Sequence, residues 1–257
     1  MIELEEAAMA VSPMPHRVVV DEVLQLGPHL RRIVFEGETL ASLAVSLPAQ
    51  WLKVGIPDVS GSGLVQRAYT IRGAYRGWGV VVVDFVLHAD AGPVAAWARR
   101  AVVGDVAYLG GADGGYQLDP AADWYLLAGD ETALPAIASI LEFLPEDGRP
   151  TCVVIEVPTV DDIQALGYPD GTEVHWLARD REPAPEGRLR ETLAGLCLPV
   201  GTGQIFLAGE MTLVSAIRQD LAGAVLSARV DAAAYWTREP ASRSSSGQTG
   251  QPVLQYV

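Results

Sequence analysis

The chain has 257 residues, 49% hydrophobic, 19% charged and 7% aromatic, which is too apolar for a disordered polymer and long enough for one large domain or two modest ones. Thirty-two acidic residues against eighteen basic ones give a formal charge of −14, which disfavours attraction to nucleic acid or to an anionic lipid surface. Two cysteines, Cys152 and Cys197, are too few for a disulfide scaffold, early glutamates stand where a secretory signal needs positive charge, and no run reaches the ~18 apolar residues of a membrane span. A soluble, cytoplasmic protein without stable membrane association is expected.

Up to about residue 110, short β-branched runs alternate with turn residues: His16 to Leu26, His29 to Phe35, Trp51 to Ile56, Arg67 to Arg72 and Gly79 to Leu87. Closely spaced short strands of this kind predict an antiparallel barrel or sandwich. Gly92-Pro93 followed by Val94 to Val102 reads as a helix, with Pro93 at the first helical position where its missing N–H costs nothing. A strand over Asp105 to Leu109 then reaches a glycine-rich corner. After Asp119-Pro120 the rhythm changes to strands at 124–128, 151–157, 172–178 and 203–208, interleaved with helices at 132–143, 160–166, 187–196 and 211–222. That alternation predicts right-handed βαβ units and a parallel sheet, with a boundary near 117–122. Residues 239–257, rich in serine, glycine and proline, read as a flexible tail whose last five residues could dock.

Chemistry concentrates first in Arg67-Ala68-Tyr69-Thr70-Ile71-Arg72. Period-two alternation puts Arg67 and Tyr69 on one strand face, a guanidinium able to grip a phosphate beside a flat aromatic plate. An ordinary barrel strand with solvated arginines is an equal reading of those six residues alone. Then comes His88-Ala89-Asp90-Ala91-Gly92-Pro93-Val94-Ala95-Ala96-Trp97, a strand end, a loop and a helix start. A helix N-terminus presents unpaired N–H groups and the positive end of its dipole, an opening suited to a pyrophosphate, with Gly92 permitting close approach. A capped helix with Trp97 in the core is the plainer alternative.

In their order, Arg67 to Arg72, His88 to Ala98, Gly104-Asp105, Ala128 to Ile137, Ala208-Gly209-Glu210 and Ala234-Tyr235-Trp236 resemble the siderophore-interacting proteins, or ferric-siderophore reductases, within the ferredoxin-reductase-like flavoproteins. The resemblance spans roughly residues 16–238. It implies two domains, an antiparallel β-barrel FAD-binding domain (1–119) followed by an α/β parallel-sheet nucleotide-binding domain (120–238) that docks NADPH or NADH. By position Arg67 is similar to the arginine holding the FAD pyrophosphate, and Tyr69 to the residue packing on the isoalloxazine. Thr70 is similar to the residue near the flavin atom where hydride arrives, so Tyr69 and Thr70 are the catalytic candidates. Ala68, Arg72, His88, Gly92, Pro93, Val94 and Ala95 complete the implied FAD set. Family members often carry serine then arginine where this chain has Ala95 and Ala96, so binding leans on backbone amides and Arg67.

In the second domain, a strand feeding Gly129-Asp130-Glu131-Thr132 and then a helix is the topology that places a nucleotide beyond the carboxyl ends of parallel strands, although no G-x-G-x-x-G is present. Thr132 as a helix N-cap is the structural alternative. The resemblance assigns Asp130, Glu131 and Thr132 to the nicotinamide side, and Gly209 and Glu210 repeat the arrangement at another strand end. Arg179 and Arg181 follow a predicted strand and could meet a 2′-phosphate, a slight lean to NADPH. The implied substrate is a ferric siderophore. Lys53 is the only lysine, so arginines such as Arg31, Arg32, Arg76 or Arg238 would replace the family's lysine-lined pocket. The four histidines show no ligand spacing, so no protein-bound metal is expected. A monomeric reductase is the leading reading. A general NAD(P)H flavin or quinone reductase and a non-catalytic ferric-siderophore-binding protein remain open beside it.

Overall fold

The structure is a computed structural model that describes residues 16–58, 63–88, 92–181, 187–224, 227–238 and 255–256. Its first half is built from β1 (His16–Gly27), β2 (Leu30–Glu36), β3 (Gln50–Pro57), β4 (Leu64–Tyr75), β5 (Val80–Val86) and β6 (Val106–Leu109), with α1 (Pro93–Arg100) between the last two. The antiparallel order is β4-β5-β2-β1-β6-β3, and a further β3–β4 pairing closes it into a six-stranded barrel. The short β7 (Asp113–Gly114) adds to the edge of β3. Alternation along the strands sends Val18, Ile33, Phe35, Leu52, Val54, Val83, Phe85 and Leu109 inward to complete burial, each such side chain contributing about 1.5–3 kcal/mol. Helix α1 plugs the barrel: Trp97 lies stacked at 6.3 Å from Phe35 and edge-on at 6.3 Å to Phe85.

The second half carries β8 (Trp124–Gly129), β9 (Thr151–Val157), β10 (Thr172–Ala178), β11 (Gly203–Glu210) and β12 (Ala228–Trp236) in the parallel order β10-β9-β8-β11-β12. Helices α2 (Leu134–Leu141), α3 (Arg188–Ala194) and α4 (Met211–Ala224) make the crossovers. From β8 the chain moves to β9 on one side, and later returns to β11 on the other. The crevice at a topological switch point of this kind is therefore at the carboxyl ends of β8 and β11. A Cβ on Gly129, the last residue of β8, would sit 2.3 Å from the Ala208 carbonyl oxygen and 2.4 Å from Ala133 Cβ, so only glycine lets the neighbouring strand and the turn into α2 pack this closely.

The predicted barrel and parallel sheet are both present, with two differences. The helix expected over 160–166 is a single 3-10 turn, Val160–Asp162, followed by irregular chain. Its Asp162 carboxylate is occupied at the turn's own start, accepting from Thr159 N at 3.2 Å and Thr159 Oγ1 at 2.7 Å, and from His29 across the molecule. In addition, β12 was not among the predicted strands. The tail lies outside the described residues except for β13 (Gln255–Tyr256), which pairs antiparallel with Ala233 and Ala234 of β12.

Polar contacts tie the two halves together. The turn between β1 and β2 clasps the 159–164 loop: His29 donates its backbone N–H to Asp162 Oδ1 at 2.8 Å, His29 Nδ1 lies 2.8 Å from Oδ2, and Gln164 donates to the Leu26 carbonyl at 3.0 Å. Beside α2, Ala49 N–H donates to the buried Ser139 hydroxyl at 2.8 Å, and Arg72 forms a two-pronged ion pair with Glu142 at 2.5 and 3.0 Å.

Candidate functional site

The main cleft arises from a split in the barrel. Residues 64–70 of β4 pair with β3 alone, while only 71–75 pair with β5, whose far end pairs with β2. The backbone edge of Arg67 to Thr70 therefore has no strand partner on the β5 side, and an unpaired strand edge offers N–H and C=O groups to whatever lies beside it. The cleft of about 910 Å³, open solvent at its mouth included, is bounded on this side by Trp51, Arg67, Ala68, Tyr69, Thr70, Asp84, Val86, His88, Gly92 and Ala95. Thr132 and Pro135 at the start of α2, with Tyr235 and Trp236 at the end of β12, form the opposite wall.

Three features of the barrel wall bear on what fits there. First, the Arg67 guanidinium lies beside Gly92, the N-cap of α1, with Nε and Nη2 3.9 Å from where a Gly92 Cβ would stand. A cation next to free helix amides is a site for a phosphate group. Second, the Tyr69 ring packs on Phe85 at 4.5 Å and presents an aromatic surface to the cleft; its hydroxyl is held far above the usual phenol range, by burial first and against the pull of Arg67. Third, Trp51 Nε1 and His88 Nε2 are buried without a hydrogen-bond partner, and a ligand group that satisfied them would remove a penalty of about 1–3 kcal/mol each. An anionic, planar, hydrogen-bonding molecule such as FAD fits this wall.

The opposite wall is anchored by Asp130. One carboxylate oxygen accepts from Thr132 N at 2.9 Å and Thr132 Oγ1 at 2.5 Å; the other accepts from Glu210 N at 2.9 Å and from Trp236 Nε1 at 2.8 Å. One buried carboxylate thus joins the ends of β8, β11 and β12 and holds the Trp236 indole in the cleft. Desolvation raises the Asp130 pKa and Glu131 adds to it, opposed by the bonds from Thr132 and Trp236. The Arg238 guanidinium lies over the Trp236 ring at 6.0 Å, and the His88 ring is 6.1 Å away.

Of the residues singled out in the sequence, Arg67, Ala68, Tyr69, Thr70, His88, Gly92, Ala95, Thr132, Tyr235 and Trp236 are brought together around the cleft. The others stand apart from its lining. Arg72 is committed to Glu142, Val94 is fully buried in the barrel core, and Pro93 is exposed on the first turn of α1. Asp130 and Gly209 lie behind the wall, where Gly209 at φ +146° leaves room for the carboxylate: a Cβ there would be 2.6 Å from Asp130 Oδ2. Glu210 accepts from Leu213 N at 2.8 Å in the first turn of α4, and Glu131 is paired with Arg179 at 2.6 Å. Among the arginines considered for substrate, Arg31 donates to the Arg99 and Ala101 carbonyls, Arg32 is locked onto Asp84 at 2.7 and 2.8 Å, and Arg76 donates to Val45 O. Two of the four touch a cleft residue in these contacts, Arg238 over Trp236 and Arg32 on Asp84. Trp51, Asp84 and Val86 carried no functional signal in the sequence, because nothing local marks which barrel residues border the split between β4 and β5.

A barrel opened beside a phosphate-ready helix, facing the switch point of a parallel sheet, defines the ferredoxin-reductase-like class of two-domain flavin-binding folds. Residues 122–239 match the family model of siderophore-interacting proteins, and residues 58–116 that of the siderophore-interacting FAD-binding domain. Ferric vibriobactin reductase of Vibrio cholerae is 31% identical over 232 residues, 82% of this chain and 84% of that protein. A siderophore utilization protein from T. fusca is similar in structure, with a TM-score of 0.76 and 30% identity, over 88% of this chain and 93% of that one. The chain belongs to the siderophore-interacting protein family. An uncharacterised protein of Mycobacterium tuberculosis is 40% identical over 158 residues, 58% of this chain, and the match spans only about half (55%) of that relative.

Proposed function

We propose that this chain is an FAD-dependent NAD(P)H:ferric-siderophore reductase of the cytoplasm, acting as a monomer and releasing iron as Fe(II). The observation that carries the reading is the cleft itself, where Arg67 beside the α1 N-terminus, the Tyr69 ring and the orphaned Trp51 and His88 nitrogens face Trp236 across one space. In this reading residues 1–119 hold FAD and residues 120–238 present the nicotinamide nucleotide. When bound, FAD supplies the exchange between a two-electron hydride donor and one-electron acceptors.

The protein's own contribution is binding, orientation and exclusion of water. Arg67 and the amides following Gly92 would hold the pyrophosphate of a bound FAD, and the open edge of β4 at Ala68 to Thr70 would meet its ring system. Tyr69 would support the ring, and Thr70 would line the ring on the side that faces the nicotinamide wall. Asp130 fixes Trp236, and through Thr132 the first turn toward α2, so that the nicotinamide wall has one geometry. No side chain acts as nucleophile. Each NAD(P)H gives two electrons, so it reduces two ferric chelates and releases one proton. Loss of hard-oxygen affinity on reduction to Fe(II) then frees the metal.

The purified chain, titrated with FAD, tests this by its visible spectrum and by anaerobic bleaching with a nicotinamide donor, followed by turnover on ferric siderophores and on quinones with an Fe(II) chelator present. We expect a bound flavin spectrum, bleaching, and Fe(II) release at about two per nicotinamide. Turnover on quinones alone would favour the general reductase. Colourless protein that binds a ferric chelate would favour the non-catalytic binding protein.

A further inference from the structure

The nucleotide wall has a charge pattern that bears on which nicotinamide donor it accepts. Three residues converge at the carboxyl ends of adjacent parallel strands: Glu131 just past β8, Glu156 near the end of β9 and Arg179 just past β10. Arg179 donates Nη1 to Glu131 Oε2 at 2.9 Å and Nη2 to Glu131 Oε1 at 2.6 Å, and Nη1 also reaches Glu156 Oε2 at 3.4 Å. Both carboxylates are well shielded, with side chains 6% and 12% exposed. The guanidinium that could have met a 2′-phosphate is therefore spent on two acids, and the three together carry a net negative charge.

The surrounding groups do not reverse that sign. Asp130 lies buried next to Glu131, and His88 Nδ1 is 3.8 Å from Glu131 Oε1. Asp180 accepts from Val160 N at 3.2 Å. The remaining cations are Arg181, exposed, and Arg188, which donates to the Ala178 carbonyl at 3.3 Å. Glu156 is itself held above the usual carboxylate range, by burial first and by Glu131 and Asp130 further down, with Arg179 opposing.

We propose that the chain uses NADH in preference to NADPH, with Glu156 receiving the adenosine ribose and Glu131, acting through Arg179, as the positioning residue that sets the choice. In parallel sheets of this kind an acid near the end of the second strand accepts hydrogen bonds from the ribose hydroxyls, whereas a 2′-phosphate needs a free arginine nearby. Glu156 Oε1 has no hydrogen-bond partner among the described residues, so it can accept from a ribose hydroxyl. A 2′-phosphate there would meet two carboxylates and a neutralised guanidinium, so rejection comes from repulsion as well as from a missing contact.

The proposal rests on the reductase reading, and two measurements separate the failure of one from the failure of the other. Calorimetry of NAD+ and NADP+ on the FAD-loaded full chain reads binding without turnover, and anaerobic flavin bleaching reads kcat/KM for NADH and NADPH. We expect NADH favoured by about tenfold or more in both. Glu156→Gln should narrow the ratio to about threefold or less, Glu156→Asp should keep it, and Glu131→Gln, checked by thermal melting, should narrow it in the same direction. A purely structural role would lower both donors alike. Equal use, or preference for NADPH lost on Arg181→Ala or Arg188→Ala, overturns the proposal and leaves the reductase reading standing. If neither nucleotide binds or bleaches the flavin, both fall together.

Discussion

At the scale of single residues, Tyr69 separates packing from binding. Its ring is half of a close aromatic pair with Phe85 and also part of the cleft wall, so removing it costs the barrel some packing and the cofactor a ring-sized contact. Ring-on-ring stacking is worth about 1–3 kcal/mol, and 1.4 kcal/mol is a factor of ten in a dissociation constant. Tyr69→Ala should therefore weaken FAD by about tenfold or more, read by flavin fluorescence quenching on titration. Tyr69→Phe keeps the ring and should stay within about threefold, because the hydroxyl has no hydrogen bond among the described contacts. Unchanged affinity in the alanine variant would remove Tyr69 from the flavin site. Asp130 makes the contrasting point. It was singled out for the nicotinamide side, yet it lies behind the wall and acts on the cleft by holding Trp236 and Thr132.

At the scale of elements, what the sequence reveals depends on whether the signal is local. The strands of the barrel announce themselves through valine and isoleucine runs, and β9 and β10 begin and end where β-branched alternation places them, at 151–157 and 172–178. Strand β12 does not, because Ala228-Arg-Val-Asp-Ala-Ala-Ala-Tyr-Trp236 has little β propensity of its own and is a strand through its parallel pairing with β11. The same limit hid the cleft: the motif Arg67 to Arg72 was legible, but the split that exposes its edge depends on where β4 leaves β3 and joins β5. The misread helix at 160–166 fails for a related reason, since Asp162 is taken up by Thr159 and by His29 from a turn 133 residues earlier. That clasp carries its own prediction. Burial alone would raise the Asp162 pKa, but hydrogen bonds from Thr159 and His29 outweigh it and hold the pKa below the usual value. A carboxylate depressed in the folded state contributes its full stability above the unfolded pKa of about 3.9 and loses it as pH falls through the lower folded value. Melting temperatures between neutral pH and about pH 3 should fall less steeply in Asp162→Asn than in the parent chain, with the variant about 1–3 kcal/mol less stable at neutral pH. Parallel pH curves would mean that the clasp contributes nothing to the union of barrel and sheet.

At the scale of the whole molecule, charge and chemistry oppose each other. The chain carries −14, its single lysine is Lys53, and most of its arginines seen near the barrel are committed to internal partners such as Asp84 and Glu142. No helix among the described residues is long and apolar enough to cross a membrane. In the proposed reading the acceptor is a ferric chelate; many such chelates of hard oxygen ligands are anions, and a molecule of this charge would repel them at a distance even where Arg238 at the cleft attracts them locally. The long-range part is screened by salt, since the Debye length shrinks from about 30 Å at 0.01 M to about 8 Å at 0.15 M ionic strength, while the contact between a bound chelate and a nearby arginine is screened far less. For an anionic ferric chelate, kcat/KM should therefore rise by about two- to fivefold between those ionic strengths, and for a neutral chelate of similar size it should stay flat. A fall with added salt would show that the local arginine field dominates encounter, and that acceptor capture is governed by the cleft rather than by the charge of the whole chain.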